Sequence, residues 1–213
     1  MQHIITLIYS MLQGTAVTLE VFSITLVFSI ILGIIVALCR LSKIKSLSKV
    51  TGLYIWIMRG TPLLLQLIFV FFGLPLIGIV LDRFPAAIIA FILNYGAYFG
   101  EIFRGGIKSI DIGQSEAAQA LGFTPSQAFV WITFPQAIKR TLAPVANEVI
   151  TLVKDTSLVY VVGLGELLRA GKIASNRDAS LVPLIVVGIF YLILTGILSK
   201  LFKVFEERLS YYQ

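Results

Sequence analysis

Long apolar runs without a single charge constrain this chain more than any other feature of its sequence. A membrane-spanning helix needs about 20 predominantly apolar residues to cross a hydrocarbon core of about 30 Å. Of the 213 residues, 58% are hydrophobic and 13% are charged, against about 45–50% and about 25% in soluble domains. A soluble monomer, a disordered chain or a collagen-like fibre is therefore not expected. The charge-free runs are Val21–Cys39, Thr61–Leu81, Phe84–Gly100 and Ala179–Ser199.

A fifth apolar stretch, Thr141–Gly165, is interrupted by Lys154 and Asp155. With it, the sequence predicts an all-α integral membrane protein with five transmembrane helices in a single domain over residues 1–213. The region before the first apolar run has no Lys or Arg and no evident cleavage site, so we expect the first helix to stay in the mature protein. The predicted helices lie at about 14–40, 53–81, 84–108, 137–162 and 181–205.

The distribution of lysine and arginine predicts how these helices are oriented. Of the 17 basic residues, 11 fall in the loops on one side of the predicted bundle and 4 in the loops on the other. Because Lys and Arg accumulate in cytoplasmic loops, the richer side is predicted to be cytoplasmic. The N-terminus is then outside and the C-terminus inside, as an odd number of spans requires. The net charge of +6 is thereby assigned to the inner face of a membrane rather than to nucleic-acid binding.

Residues suited to catalysis or metal binding are scarce. Cys39 and His3 are the single cysteine and histidine of the chain, so a disulfide framework, a cysteine-based zinc site and histidine chemistry find little support. Gly165 and Gly171–Lys172 hint at a phosphate-binding loop, but the spacing is one residue too long and Ile173 replaces the required Ser or Thr. We therefore expect no metal site and no ATP hydrolysis in this chain.

The predicted cytoplasmic loop, at about 109–136, contains two helix signals separated by a turn. Gln114–Leu121 is rich in alanine and polar on one face, and Gly122 follows where a left-handed residue ends a helix. Thr124–Gln127 predicts a new helix, because its threonine caps, its proline fits the first turn and its glutamine completes a capping box. We expect Pro135 to stop this second helix. By local chemistry alone, the loop is either a structured connector or a docking segment.

The residues of this loop resemble the EAA motif of permease subunits in ATP-binding-cassette (ABC) importers. Glu116–Ala118, Gly122 and Ile132–Pro135 match its spacing, with Phe134 in place of the usual leucine. The resemblance implies that the loop forms coupling helices that dock on a separate ATPase subunit. The residues to which it assigns this coupling are Glu116, Ala117, Ala118, Gly122 and Pro135.

A narrower resemblance extends from about Gly14 to the C-terminus. Arg59–Leu64, Asn94–Gly106, Pro135–Ile138 and Lys154–Leu158 are similar to the histidine, glutamine, arginine and opine branch of amino acid permeases. This implies a type I ABC importer architecture, import of polar or charged L-amino acids and location in a bacterial inner membrane. The implied partners are an ATPase subunit that holds ATP and Mg, a second permease copy or paralogue, and an extracytoplasmic binding protein. No cofactor is expected in this chain, and the amino acid carried stays open.

Polar residues recur at helical spacing on the third and fourth predicted membrane helices. Positions i, i+4 and i+7 share one helix face, and an ionisable group at membrane depth costs at least about 2.5–3.5 kcal/mol. A zwitterionic amino acid would need donors such as Lys154 or Arg59 for its carboxylate, and acceptors for its ammonium. Bonding between helices that only stabilises the bundle is the alternative. The predicted substrate-binding residues are Asn94, Tyr98, Glu101, Thr151, Lys154 and Asp155.

Three residues of the second predicted helix have a different expected role. Thr61 and Pro62 lie inside an apolar run, where proline kinks or restarts a helix, and Arg59 precedes them at membrane depth. A broken helix beside a cavity can act as a gate, whereas a kink can equally improve packing, so we expect a gating or structural role. A membrane-embedded enzyme and an ion channel subunit are the competing functions, although no His-, Cys- or Ser-centred catalytic set is evident.

Overall fold

A computed structural model describes residues 2–209, with side chains described for residues 6–208, and all regular secondary structure in this range is helical. Short π or 3-10 segments continue α3, α6 and α7, and no strand occurs within this range. The α-helices are α1 (Gln2–Leu41), α2 (Lys45–Gly60), α3 (Leu63–Ile68), α4 (Arg83–Lys108), α5 (Ile112–Ala120), α6 (Pro125–Ala128), α7 (Phe134–Asp155), α8 (Leu167–Asp178) and α9 (Val182–Leu209).

Within the described residues, three helices are long and apolar enough to cross a membrane, namely Thr6–Leu41, Arg83–Lys108 and Val182–Arg208. A fourth candidate is the pair Lys45–Gly60 and Leu63–Ile77, which meet at an angle of 104°. α7 carries five charged residues and is not among these candidate spans. The fifth span therefore stays a prediction.

Two of the predicted helix boundaries are wrong. The helix predicted at 14–40 already begins at Gln2, because residues before the first charge-free run also pack: Met11 is buried against Leu167 and Val187. The helix predicted as one piece over 53–81 begins at Lys45 and ends at Gly60. Its polar first turns extend it beyond the apolar run from which it was predicted.

The helix break at Thr61 and Pro62 confirms that the proline restarts the helix. Both residues have extended backbone, and Pro62 precedes the first residue of α3. α3 then continues through a π segment, Phe69–Gly73, and a 3-10 segment, Leu74–Ile77. Because proline excludes the α conformation from the residue before it, Thr61 cannot continue α2, and the chain turns sharply.

The central contact of the fold joins α1 and α4 through glycines. A Cβ atom at Gly100 would lie 2.4 Å from Val36 Cγ1, and one at Gly33 would lie 2.6 Å from Phe99 Cβ. Small residues allow this close approach of membrane helices, which favours van der Waals packing between them. Next to the crossing, Phe91, Tyr95 and Phe99 of α4 are almost fully buried. α4 is therefore the central helix of the bundle, against which the other helices pack.

The loop between α4 and α7 forms the predicted helix–turn–helix. Asp111 caps α5 by accepting a hydrogen bond from the Gly113 N–H at 2.8 Å, and Gly122 adopts a left-handed φ of 89°. Thr124 and Gln127 form the predicted capping box of α6. The turn chemistry that the sequence specified is therefore present at each position.

Pro135 does not stop the second helix, and that prediction is wrong. The chain passes from α6 through a π segment, Phe129–Thr133, directly into α7, where Pro135 occupies the first turn. Proline normally clashes with the carbonyl four residues earlier and cannot bond to it. The wider π turn changes the hydrogen-bond pattern at this point, with the Phe134 N–H bonded to the Phe129 carbonyl. The helix therefore continues through the proline.

A buried carboxylate holds α8 between α1 and α9. Glu166, which is fully buried, caps α8 by accepting hydrogen bonds from the Leu168 and Arg169 N–H groups, each at 2.6 Å. The Tyr191 hydroxyl approaches the same carboxylate at 3.3 Å. Burial raises the pKa of Glu166 above its ordinary value, although the hydrogen bonds oppose this shift. The position of α8 therefore depends on one carboxyl group that lies between membrane helices.

Replacing Glu166 with glutamine should change how stability depends on pH. Since the pKa is raised on folding, the folded chain holds this proton more tightly than the unfolded chain. The resulting stabilisation is complete below about pH 4 and is lost as pH rises through the raised pKa. Melting temperatures at pH 5 and pH 8 should therefore differ less in E166Q than in the unmodified chain. The exposed Glu206 offers the control E206Q; an unchanged pH dependence in E166Q would contradict the assignment.

Candidate substrate cavity and docking loop

A polar cavity of about 290 Å³ lies beside the break between α2 and α3. α4 and α7 supply its other walls, so the cavity forms where three helical elements meet. Four of the six predicted substrate-binding residues line it, together with two of the three predicted gating residues. The lining residues are Thr61, Pro62, Leu63, Asn94, Tyr95, Tyr98, Glu148, Thr151 and Asp155.

The charge of this polar cavity is negative. Glu148 and Asp155 of α7 both line it, and none of its lining residues is Lys or Arg. The Tyr95 hydroxyl of α4 donates a hydrogen bond to Asp155 Oδ2 at 2.8 Å, which fixes one carboxylate across the helix interface. Two carboxylates on one wall and tyrosine on the other can bind an ammonium or guanidinium group.

Asn94 contributes to the structure of the helix break. Its side-chain amide nitrogen donates to the Met58 carbonyl and to Gln66 Oε1, each at 3.0 Å. Gln66 Nε2 in turn donates to Thr61 Oγ1 at 2.7 Å and to the Met58 carbonyl at 2.9 Å. These bonds satisfy backbone groups that the break removes from the helical ladder. Both amide hydrogens of Asn94 are used here, so only its side-chain oxygen is left to contact a substrate.

Arg59 lines a second cavity and contacts a residue of the polar cavity. Its guanidinium lies 5.1 Å from the ring centroid of Tyr98, a distance suited to a cation–π contact. The second cavity, the arginine cavity, has a volume of about 430 Å³. Its lining residues are Arg40, Gly52, Ile55, Trp56, Arg59, Gly60, Glu101 and Arg104.

Two of the predicted substrate-binding residues lie outside the polar cavity. Glu101 lines the arginine cavity and forms an ion pair with Arg104, one helical turn further along α4. Lys154 is exposed and is absent from the lining of either cavity. The structure therefore brings together Asn94, Tyr98, Thr151 and Asp155 but not the other two predicted residues.

Two polar residues that line the polar cavity, and one that bonds to its lining, were missing from the predicted set. Glu148 lies seven residues before Asp155 on α7, so its helical spacing was a usable signal. Tyr95 follows directly on Asn94, and its role became visible only from its hydrogen bond across to α7. Gln66 gave no signal, since it lies in a charge-free apolar run and bonds to residues on the other side of the break.

The docking loop, residues 109–133, presents apolar side chains to the surroundings. Ile112, Leu121 and Trp131 are each at least 70% exposed, which is unusual for such large apolar groups. Of the predicted coupling residues, Glu116 and Ala117 are exposed, Ala118 is buried beneath them, and Gly122 forms the turn. An exposed apolar surface with a central acidic residue is suited to contact with another protein.

The fold and these two sites agree with a known family of membrane proteins. The sequence profile of the family described as "Binding-protein-dependent transport system inner membrane component" matches residues 29–211. The chain belongs to this family. The match includes the helix break, the polar cavity and the docking loop, and the members of this family are transport components, not enzymes.

Individual relatives of this transport component span nearly its whole length. The arginine transport system permease protein ArtQ of Bacillus subtilis (strain 168) is 41% identical over 201 residues, which cover 93% of this chain and 92% of that protein. The L-cystine transport system permease protein TcyB of the same organism is 39% identical, covering 93% and 86%. A putative glutamine transport system permease protein, GlnP of Rickettsia conorii (strain ATCC VR-613 / Malish 7), is 35% identical, covering 95% and 94%.

Solved structures share the fold of this transport component. A chain described as the crystal structure of an amino acid ABC transporter with histidines superposes with a TM-score of 0.90 at 34% identity, covering 96% of both chains. A chain from an inward-facing conformation of the MetNI methionine ABC transporter gives a TM-score of 0.76 at 19% identity, covering 95% and 97%. The second likeness concerns the fold alone. The predicted all-α permease architecture is thereby confirmed, apart from the number of spans.

Proposed function

We propose that this transport component is the permease subunit of an ATP-driven importer of polar or charged L-amino acids. The polar cavity supports this proposal most directly. Its lining combines two carboxylates, Glu148 and Asp155, with Tyr95 and Tyr98 around a space of about 290 Å³. Such a site suits a small molecule with an ammonium group, which every free amino acid carries.

The acidic lining favours substrates with a second positive charge. A basic amino acid presents its ammonium and its cationic side chain, and the cavity offers one carboxylate for each. The carboxylate of the substrate finds no cation among the lining residues, but Arg59 lies next to the cavity, on the ring of Tyr98. Displacement of Arg59 from this ring would both bring a guanidinium to the substrate and open the way to the arginine cavity. This assigns Arg59 the gating role.

The partners of the importer follow from surfaces that one chain leaves open. The apolar docking loop would bind a separate ATPase subunit, which holds ATP and Mg, so that hydrolysis occurs outside this chain. Asn147 and Lys154 are exposed on one face of α7, although both are polar and lie in a predicted membrane helix. This polar face suits a pathway shared with a second permease copy or paralogue. An extracytoplasmic binding protein would deliver the amino acid on the side opposite the docking loop. The chain would lie in the inner membrane with its N-terminus outside and its C-terminus in the cytoplasm.

Reconstituted transport tests the proposal. The chain is purified with its ATPase subunit and binding protein, and uptake into liposomes is measured for twenty amino acids and cystine with ATP inside. We expect uptake of at least one polar amino acid, with the basic ones preferred. Uptake that continues without ATP would favour a channel, and chemical conversion of the substrate would favour a membrane enzyme. Either outcome would contradict the proposal.

Replacing Gly122 with valine should uncouple the ATPase from transport. Open space surrounds a Cβ atom at this position, but the φ of 89° is strained for a β-branched residue, at a cost of about 1–3 kcal/mol. The turn between α5 and α6 would therefore deform, and we expect substrate-stimulated ATPase activity to fall about tenfold or more. Asparagine tolerates a left-handed backbone, so G122N is the matched control and should keep most of the activity. Equal activity in both variants would show that the turn geometry is not required.

A further inference from the structure

The arginine cavity holds more positive charge than its own residues neutralise. Three of its lining residues are arginines, Arg40, Arg59 and Arg104, and one is a glutamate, Glu101. Arg104 occupies that glutamate, because its Nε donates to Glu101 Oε2 at 2.8 Å and its Nη2 donates to Oε1. Arg40 and Arg59 form no ion pair within the part of the chain that the structure describes. Among those residues, the cavity therefore has two guanidinium groups without a carboxylate partner.

Arg40 is held in place by neighbouring groups of α1 and α2. Its Nη1 donates to Ser48 Oγ at 2.6 Å, and Ser48 Oγ donates back to the Arg40 carbonyl at 2.9 Å. Gly52 leaves room for the guanidinium, since a Cβ atom there would lie 3.3 Å from Arg40 Nε. A guanidinium has five N–H donors. The structure therefore orients this group but leaves most of its donors without a partner among the described residues.

The arginine cavity follows the polar cavity along two helical elements. On α4, Tyr98 lines the polar cavity, and Glu101, about 4.5 Å further along the helix axis, lines the arginine cavity. At the helix break, Thr61 lines the polar cavity and the preceding Gly60 lines the arginine cavity. Beyond Glu101, α4 continues to Lys108, where the docking loop begins. The arginine cavity therefore lies on the docking-loop side of the polar cavity.

The two cavities complement the two charged ends of an amino acid. The carboxylates of Glu148 and Asp155 suit an ammonium group, but none of the residues lining the polar cavity is a Lys or Arg that could bind the substrate carboxylate. A planar guanidinium binds a carboxylate through two parallel hydrogen bonds. Arg40 and Arg59 supply such groups in the arginine cavity. A substrate that moves from the polar cavity toward the docking loop thus reaches partners for its negative end.

We propose that the arginine cavity is an exit site, where Arg40 and Arg59 bind the carboxylate of the amino acid after it leaves the polar cavity. This rests on the proposed function, because the cargo has to be an amino acid. Arg59 would exchange the ring of Tyr98 for the carboxylate, while Arg40 stays bonded to Ser48. At about 430 Å³ against about 290 Å³, the exit site has room for any substrate that fits the polar cavity. Both arginines are exposed, so water weakens their ionic contacts, which suits release.

A tryptophan in the wall of the arginine cavity reports on this site. Trp56 lines the cavity and is 72% exposed. The complete transporter complex is labelled with fluorotryptophan, and the Trp56 signal in the fluorine NMR spectrum is assigned from its loss in W56F. The probes are acetate, L-arginine and agmatine, which is arginine without its carboxylate. We expect acetate and L-arginine to shift the Trp56 signal saturably and agmatine to leave it in place. Trp131, in the docking loop, is the internal control and should not respond.

Variants of Arg40 connect this signal to transport. R40Q removes one cation and should weaken the affinity for acetate at least about tenfold, whereas R40K keeps the charge and should lose less. In uptake assays, R40Q should lower kcat about fivefold with KM unchanged, because capture in the polar cavity precedes the exit site. R208Q makes the same change of charge on the exposed end of α9 and should alter neither measurement.

The outcomes separate the exit site from the proposed function. Amino acid uptake without any response of Trp56 to acetate or L-arginine would overturn the exit site alone, and would fit a cavity closed by an acidic side chain of a second permease copy. A stronger response to inorganic phosphate than to acetate would overturn it in favour of a phosphate site, and an equal response to agmatine and L-arginine would also contradict it. Absence of amino acid uptake, whatever Trp56 shows, would instead refute the proposed function.

Discussion

Replacing Asp155 with asparagine is expected to reduce substrate uptake by about thirtyfold or more. The substitution keeps the shape of the side chain and an oxygen that can accept the Tyr95 hydrogen bond, but it removes one of the two negative charges in the polar cavity. Loss of one partner from a buried charge pair costs about 2–5 kcal/mol, and each 1.4 kcal/mol is tenfold in affinity. Initial uptake rates into liposomes, at a saturating concentration of binding protein, measure the effect.

Two further variants separate charge from hydrogen bonding at this position. Y95F removes the hydroxyl that orients Asp155 but leaves the charge, so its loss should be smaller, about tenfold. D178N makes the same chemical change on α8, outside the cavity, and should be close to neutral. If D155N transports at the unmodified rate while its stability is unchanged, the polar cavity is not the substrate site.

Replacing Gly100 with alanine is expected to lower the melting temperature by about 5–10 °C. The added Cβ would lie 2.4 Å from Val36 Cγ1 and 2.9 Å from Val36 Cβ, and valine in a helix has little freedom to rotate away. Overpacking of this kind costs about 1–3 kcal/mol, and 1 kcal/mol corresponds to about 2–4 °C in a domain of this size. Thermal unfolding of the detergent-solubilised complex measures the shift.

The same helix offers a matched control. A Cβ at Gly105 meets no atom within 4 Å, so G105A should be neutral or slightly stabilising, because alanine is the better helix former. V36A should restore part of the stability lost in G100A, because it removes Cγ1, the closest clashing atom, and leaves only the Cβ contact at 2.9 Å. A melting temperature equally low in G105A would mean that the loss does not come from the crossing of α1 and α4.

The sequence predicted best those features that depend on neighbouring residues. The predicted helix at 84–108 differs by one residue from α4, and the turn at Gly122 and the capping box of Thr124 and Gln127 form as predicted. Each depends on hydropathy or on hydrogen bonds between residues close in the chain. The prediction that Pro135 ends the helix was wrong, because the sequence does not reveal that a π segment accommodates the proline.

The candidate site was predicted only in part because it depends on how helices are rotated against each other. Spacing placed Asn94, Tyr98 and Glu101 on one face of α4, but that face is wide enough to border two cavities. Glu101 therefore lines the arginine cavity and Asn94 the polar cavity. Lys154 follows Leu152 and Val153, which are buried, but is itself exposed and lines neither cavity. Helical periodicity alone resolves neither arrangement.

The continuity of α6, the π segment and α7 has a mechanical consequence. From Pro125 to Asp155 the chain is one unbroken helical rod, about 45 Å long at 1.5 Å per residue. One end lies in the docking loop, and the other carries Glu148, Thr151 and Asp155 into the polar cavity. No loop interrupts the chain between these two ends. A displacement of the docking loop would thus be carried to the two carboxylates along a single continuous helix.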